Sequence, residues 1–220
     1  MGKVRVCCFG VSVDGFGAGL NQSLENPIGE RGLEMLQWAL ATRVFCEMHG
    51  SPGGGEGMDN SFAARGFENV GAWILGRNMF GPVRGGWGDE RWKGWWGETP
   101  PYRVPVFVLT HHARQPLEML GGTTFHFVTG GIQEALDRAR EAADGRDIRI
   151  GGGVSTIRQY LRAGAIDELH LAVSPVMLGG GEELLAGFDL PAMGYRVASH
   201  TMGERAMHVV IGRQVQGSRV

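Results

Sequence analysis

The apolar positions of this chain change period several times, and each change predicts an element. Val4-Arg5-Val6-Cys7-Cys8-Phe9 is an apolar, β-branched run of strand length that leads into the glycine-studded stretch from Ser12 to Gly19. Leu33, Leu36, Leu40, Val44 and Met48 then recur at helical spacing, with Met35, Trp38, Ala39 and Phe45 widening the face. This predicts one amphipathic helix over residues 32–48. Asp59 or Asn60 can cap a further helix that presents Phe62, Ala63, Phe67 and Val70. Residues 72–76 read as a strand running into Arg77-Asn78-Met79-Phe80, where Gly81 and Pro82 cut short any helix. Strands follow at 106–110 and 123–129, then a helix at 131–143 with Ile132, Ala135, Leu136 and Ala139 inward. Ile148 and Ile150 mark a buried strand, and Val154, Ile157, Tyr160 and Leu161 mark the helix after it. Strand 168–174 and a hairpin of 195–201 with 206–213 close the chain. About eight strands and four helices in this order predict an α/β fold: a mainly parallel sheet first, an antiparallel C-terminal hairpin last.

Composition changes this picture little, except for glycine. There are 38 glycines in 220 residues, above the usual share of about 7%, and they fall between periodic segments. Many tight turns and close backbone approaches around a ligand are therefore expected. The length suits one domain over residues 1–220. A formal net charge of −2 with mixed signs gives no footprint for nucleic acid or an anionic membrane, so a small-molecule partner is expected. No apolar run reaches the roughly 20 residues of a membrane span, and the N-terminus lacks the basic-then-apolar layout of a leader. The expected compartment is cytoplasmic. The three cysteines imply no disulfide framework: Cys7 and Cys8 adjoin in a strand, which predicts opposite faces, and Cys46 lies in a helix.

Candidate chemistry gathers where strands end. Gly151-Gly152-Gly153 separates a strand from a helix opening with Val154, Ser155 and Thr156. Glycines without Cβ atoms and a positive helix N-terminus suit a pyrophosphate, although three glycines can also be a plain turn. Gly76-Arg77 is a second strand-to-helix junction with a fixed cation, and Thr110-His111-His112-Ala113-Arg114 is a third. The loop 81–104 carries Trp87, Trp92, Trp95 and Trp96, which wall a ligand pocket, meet a partner subunit or pack on their own core. The histidines show no metal-ligand spacing, and Ser155 lacks the setting of a hydrolase nucleophile.

Taken in order, Ser12-Val13-Asp14-Gly15, Ile74-Leu75-Gly76-Arg77, Val108-Leu109-Thr110, Ile150-Gly151-Gly152-Gly153, Asp167-Glu168-Leu169-His170-Leu171 and Pro175-Val176-Met177-Leu178-Gly179 resemble the dihydrofolate reductase fold family. The branch is similar to the reductase domain of the bifunctional riboflavin-biosynthesis deaminase/reductase, without motifs of its zinc-deaminase half. The resemblance covers nearly the whole chain and implies a three-layer α/β fold and NADPH-dependent reduction of a C=N or C=O bond in a small pterin- or aminopyrimidine-like heterocycle. It implies that Gly151, Gly152, Gly153, Ser155 and Thr156 hold the cofactor pyrophosphate. Arg77, Thr110, His111 and Arg114 would hold the adenosine 2′-phosphate, for which a forked guanidinium is suited, and Gly76 before Arg77 belongs to the same cofactor site. Asp14, Gly15 and Phe16 would line the nicotinamide end, and Asp59 stands where dihydrofolate reductases carry the substrate-binding carboxylate, so Asp59 and Asp14 are the expected catalytic pair. Asp59 as a mere helix cap, and a non-catalytic ligand-binding protein on the same fold, are the alternatives. A homodimer is also expected; a monomeric mass in solution would contradict it.

Overall fold

The computed structural model describes residues 2–81, 85–88 and 91–214. Its first strand, β1 (Val4–Ser12), turns through Asp14 and Gly15 into the short β2 (Phe16–Ala18). Three short helices follow, α1 (Gly32–Met35), α2 (Gln37–Leu40) and α3 (Arg43–Met48), then α4 (Met58–Arg65). β3 (Val70–Gly76) leads directly into α5 (Arg77–Phe80). β4 (Pro105–Leu109), β5 (Leu117–Glu118) and β6 (Thr124–Val128) precede α6 (Gly131–Ala143). β7 (Asp147–Gly152), α7 (Val154–Arg162), β8 (Glu168–Ser174), β9 (Glu182–Glu183), β10 (Tyr195–Met202) and β11 (Met207–Arg213) complete the chain.

Nine of these strands form one sheet, ordered β10-β11-β8-β1-β7-β3-β4-β6-β5. The strands from β8 to β6 are parallel, β11 and β5 run antiparallel to them, and β10 pairs antiparallel with β11 at the edge. The mainly parallel sheet with its C-terminal hairpin is thus the architecture that the hydrophobic pattern predicts. Central parallel strands must be covered on both faces, and β3 is buried along its whole length. Its Ala72 and Ile74 join a core with Ile148, Ile150, Phe107 and the inward faces of α6 and α7. Trp73 and Leu75 point the other way, into a second core with Val106, Val108, Phe125 and Phe80. Tyr160 of α7 is fully buried, and its hydroxyl donates to the carbonyl of Ile132 at 2.8 Å, fixing α7 against α6. No helix among the described residues is long and apolar enough to cross a membrane.

The single helix expected over residues 32–48 is broken into three. The Arg43 N–H donates to Gly55, and Gly55 donates back to Ala41 at 2.7 Å, so a bridge from the 49–57 segment pries the helix open at Thr42. Thr42 restarts it as an N-cap, accepting from the Phe45 N–H. Periodicity registers which face is apolar, not that a distant backbone competes for the carbonyls.

The tryptophan loop packs mostly on its own chain. Trp87 and Trp92 lie against the second core. Their indole N–H groups donate to the carbonyls of His112 and Phe80, and that of Trp95 to Asn78, each at 2.9 Å. The loop therefore clamps α5 and the turn after β4. Helix α5 stops at Phe80, its Gly81 N–H bonding back to Arg77; Pro82 lies outside the described residues.

Candidate functional site

One cavity of about 730 Å³ opens at the carboxyl ends of β7, β3, β4 and β6 and extends back beneath α2, α3 and α4. Crevices at this end of a parallel sheet are where α/β folds hold ligands. Three strand-to-helix or strand-to-turn junctions meet there, because parallel strands end on the same side. Gly76, Arg77, Thr110, His111, Gly151, Gly153, Ser155 and Thr156 all line the cavity.

Two glycines are required by this geometry. A Cβ on Gly76 would stand 2.4 Å from the Thr156 hydroxyl, so β3 and α7 can approach only with hydrogen there. Gly152 has φ +116° and lies in the turn that delivers the chain to α7. The next residue differs. Gly153, the N-cap of α7, has extended backbone, and a Cβ built on it meets no atom within 4 Å. The first N–H groups of α7 thus border open space, where an anion would find both donors and the favourable helix dipole.

The cation of the second junction is set by the tryptophan loop. The Arg77 guanidinium lies 3.1 Å from the centre of the Trp87 ring, and that of Arg114 lies 4.8 Å from the same centre. Arg114 also donates to the Trp92 carbonyl at 3.0 Å. Burial, and then the nearby Arg114 charge, lower the Arg77 pKa to about 10. Two like charges around one indole raise the local positive potential, which favours an anionic ligand. Arg114 itself is behind this wall and is not among the described lining residues.

The two carboxylates expected to be catalytic stand elsewhere. Asp14 accepts from the Leu178 and Gly179 N–H groups at 3.1 and 2.8 Å, pinning the β1–β2 turn to the segment after β8. The Ser12 hydroxyl and those two N–H groups lower its pKa to about 2. Gly15 and Phe16 shape the same turn, and their neighbours Gly17 and Ala18 reach the cavity instead. Asp59 is only 4% exposed, and both its oxygens are engaged by the C-terminal hairpin: one accepts from the Arg205 N–H at 2.9 Å, the other faces His208 Nε2 at 2.8 Å. Neither aspartate is among the described lining residues. The helix position of Asp59 is legible in the sequence, but the carboxylate turns to the hairpin because it finds two complementary partners there, the Arg205 N–H and His208. Nor is it the cap: Glu204 accepts from the Met58 and Asp59 N–H groups at the start of α4.

Asp59 acts on the cavity at a distance. The Cys8 N–H donates to His170 Nδ1 at 3.0 Å, so His170 carries its proton on Nε2 and donates to His208 Nδ1 at 3.0 Å. His208 then donates from Nε2 to Asp59. This buried chain of hydrogen bonds holds a bulge in β1. Cys8 has φ +58°, and the β1–β8 register slips between Val6 and Phe9. The bulge breaks the alternation that predicts opposite faces for Cys7 and Cys8, and both border the cavity. Burial raises both thiol pKa values, that of Cys8 to about 11, so they are neutral.

Burial, followed by the adjoining His208, lowers the His170 pKa from 6.5 to about 3. The unfolded chain binds a proton here near pH 6.5 and the folded chain only near 3. Stability is therefore complete above the upper value and falls with decreasing pH between the two, by about 1 kcal/mol per pH unit from this group. Urea unfolding between pH 7.5 and 4 should show this loss together with an imidazole that stays neutral by NMR; a His170 that titrates near 6.5 would contradict the assignment.

Sequence reasoning missed the far end of the cavity, where Arg149, Trp38, Phe45, Phe67, Trp73 and Tyr102 contribute to the lining. The available signal was Ile148-Arg149-Ile150: a charge between two buried β positions must face the other side of a sheet that is covered on both sides.

A mainly parallel sheet with a crevice at its strand ends, bordered by a glycine turn and a helix N-terminus, is the α/β architecture that holds ligands at this end of the sheet. More particularly, the chain belongs to the RibD C-terminal domain family, whose profile matches residues 5–209. A candidate riboflavin biosynthesis protein from Shewanella sp. PV-4 shares the fold at a TM-score of 0.59 and 21% identity, over 98% of this chain and 100% of that one. A diaminohydroxyphosphoribosylaminopyrimidine deaminase/5-amino-6-(5-phosphoribosylamino)uracil reductase from Thermotoga maritima does so at 0.51 and 11% identity, over 96% of this chain and 57% of that one. Uncharacterized protein YyaP of Bacillus subtilis strain 168 is 34% identical over 58 residues, which are 26% of this chain and 30% of that protein.

Proposed function

We propose that the protein is an NADPH-dependent oxidoreductase that delivers hydride to a C=N or C=O bond of a small cyclic substrate. The observation that carries this reading is the convergence of Gly151, Gly153, Ser155 and Thr156 with Arg77, Thr110 and His111 on one cavity. The open N-terminus of α7 would seat the pyrophosphate on backbone N–H groups, and Arg77 would meet the 2′-phosphate with a planar, permanently charged fork. Bound NADPH would supply the hydride, while the chain orients it and excludes water. Membership of the RibD C-terminal domain family supports a reductase. The family resemblance implies a pterin- or aminopyrimidine-like ring whose edge Asp59 would hold; Asp59 is committed to the hairpin, so only the small cyclic substrate is carried forward.

NADPH is expected to quench tryptophan fluorescence, since Trp87 lies against Arg77. Arg77→Ala should weaken binding about tenfold, the scale of one charge-assisted contact. Absence of binding by the native protein at near-millimolar NADPH would remove this function.

A further inference from the structure

We infer that the substrate compartment of this cavity takes a planar aromatic molecule bearing one electronegative oxygen, a carboxylate or conjugated carbonyl, with that oxygen directed at Arg149. The inference rests on the assignment of the other end of the cavity to NADPH. The compartment wall is aromatic. Phe67 and Trp73 lie 5.8 Å apart between ring centres, Trp73 and Tyr102 4.9 Å, and Phe45 and Trp96 6.1 Å. Trp96 and Tyr102 both line the same cavity. Such a slot suits a flat ring system through its faces and edges.

One charge stands in this wall. Arg149 is 7% exposed, borders the cavity and lies 4.1 Å from the Trp73 ring centre and 4.9 Å from that of Phe67. It donates to the carbonyls of Gly66 and Cys7 at 2.6 and 3.1 Å, which fix its orientation but leave its charge uncompensated; its buried Nε has no hydrogen-bond partner. Arg149 forms no ion pair with a described carboxylate. The one carboxylate among the described lining residues is Glu182, on β9 and hydrogen-bonded to Gln22 at 3.0 Å, beside β2 rather than in the aromatic wall. A buried cation without a counter-charge favours a ligand that supplies electron density. An amino-pyrimidine edge would instead present donors to it, and a phosphoribose would replace water with aromatic carbon.

The test is calorimetry on the full chain without cofactor, using 2-naphthoate, 2-acetylnaphthalene, 2-naphthylmethylamine and uridine 5′-monophosphate. The expected result is binding of the first two at least tenfold tighter than of the amine or the nucleotide. The naphthoate and ketone arms separate a charged from a neutral oxygen; tighter binding of either one supports the inference. Arg149→Met should erase the preference over the amine. Since that variant also loses two carbonyl contacts, Trp96→Ala serves as the second probe and should weaken 2-naphthoate about tenfold while leaving NADPH binding unchanged. Tighter binding of the nucleotide or the amine, insensitivity of 2-naphthoate to Trp96→Ala, or its displacement by NADPH would overturn the inference. Because these titrations contain no cofactor, except in the displacement arm, failure of NADPH to bind would be recorded separately.

Discussion

Replacing Asp59 by alanine is expected to destabilise the protein by about 3–5 kcal/mol, the scale for removing one member of a buried, hydrogen-bonded charged group. The loss would orphan the His208 Nε2–H and the Arg205 N–H, both now satisfied by Asp59. It would also release the His208–His170 pair from its anchor and, through His170, the bulge at Cys8. The shift should appear in equilibrium urea unfolding, and the fraction that remains folded should still bind NADPH with unchanged affinity, since Asp59 does not border the cofactor end. Asp59→Asn should sit between: the amide keeps one acceptor but offers donors where two donors already point. If Asp59→Asn were as stable as the native chain and instead lost substrate turnover, the carboxylate would be returned to the substrate role that the family resemblance implies.

The second large effect concerns the glycine turn. Gly153→Ala is expected to lower the melting temperature by no more than about 4 °C, because the backbone there is extended and the new methyl meets no atom within 4 Å, leaving only the poorer helix cap that alanine makes. The same methyl would project into the cavity at the N-terminus of α7, so the dissociation constant for NADPH should rise about 30-fold, or roughly 2 kcal/mol. Gly152→Ala is the contrast. It combines φ +116° with a Cβ 2.9 Å from the Phe9 ring, so folding and binding should fall together. Unchanged NADPH affinity in Gly153→Ala would make the run a structural turn, the reading that the sequence left open.

Much of the fold was legible because its signals are local. A strand buried on two faces is a run of apolar residues, and α6 and β8 stand where the pattern predicts, at Gly131–Ala143 and Glu168–Ser174. The three glycine and arginine junctions were legible as well, since a strand that breaks into glycine and then resumes helical spacing must turn there. Parallel strands place such turns on one side of the sheet, which is why eight of the expected cofactor residues border one cavity.

What the sequence could not determine is where a polar side chain turns once its element is placed. Asp59 can cap, catalyse or brace from the same helix position. The choice follows from two hairpin groups about 150 residues later, Arg205 and His208, and from the absence of a Cβ at Gly203, which would otherwise overlap the carboxylate. Cys7 and Cys8 share the cavity because a bulge held by His170 overrides strand alternation. Arg149 has its lining position because Gly66 and Cys7 supply carbonyls to aim it. The sequence by itself determined the elements, the parallel sheet and the glycine turn at Gly151–Gly153. Only the tertiary structure decided that this turn faces open space, that Asp59 serves the hairpin and that Arg149 stands in an aromatic wall, because long-range partners direct those side chains and local periodicity carries no information about them.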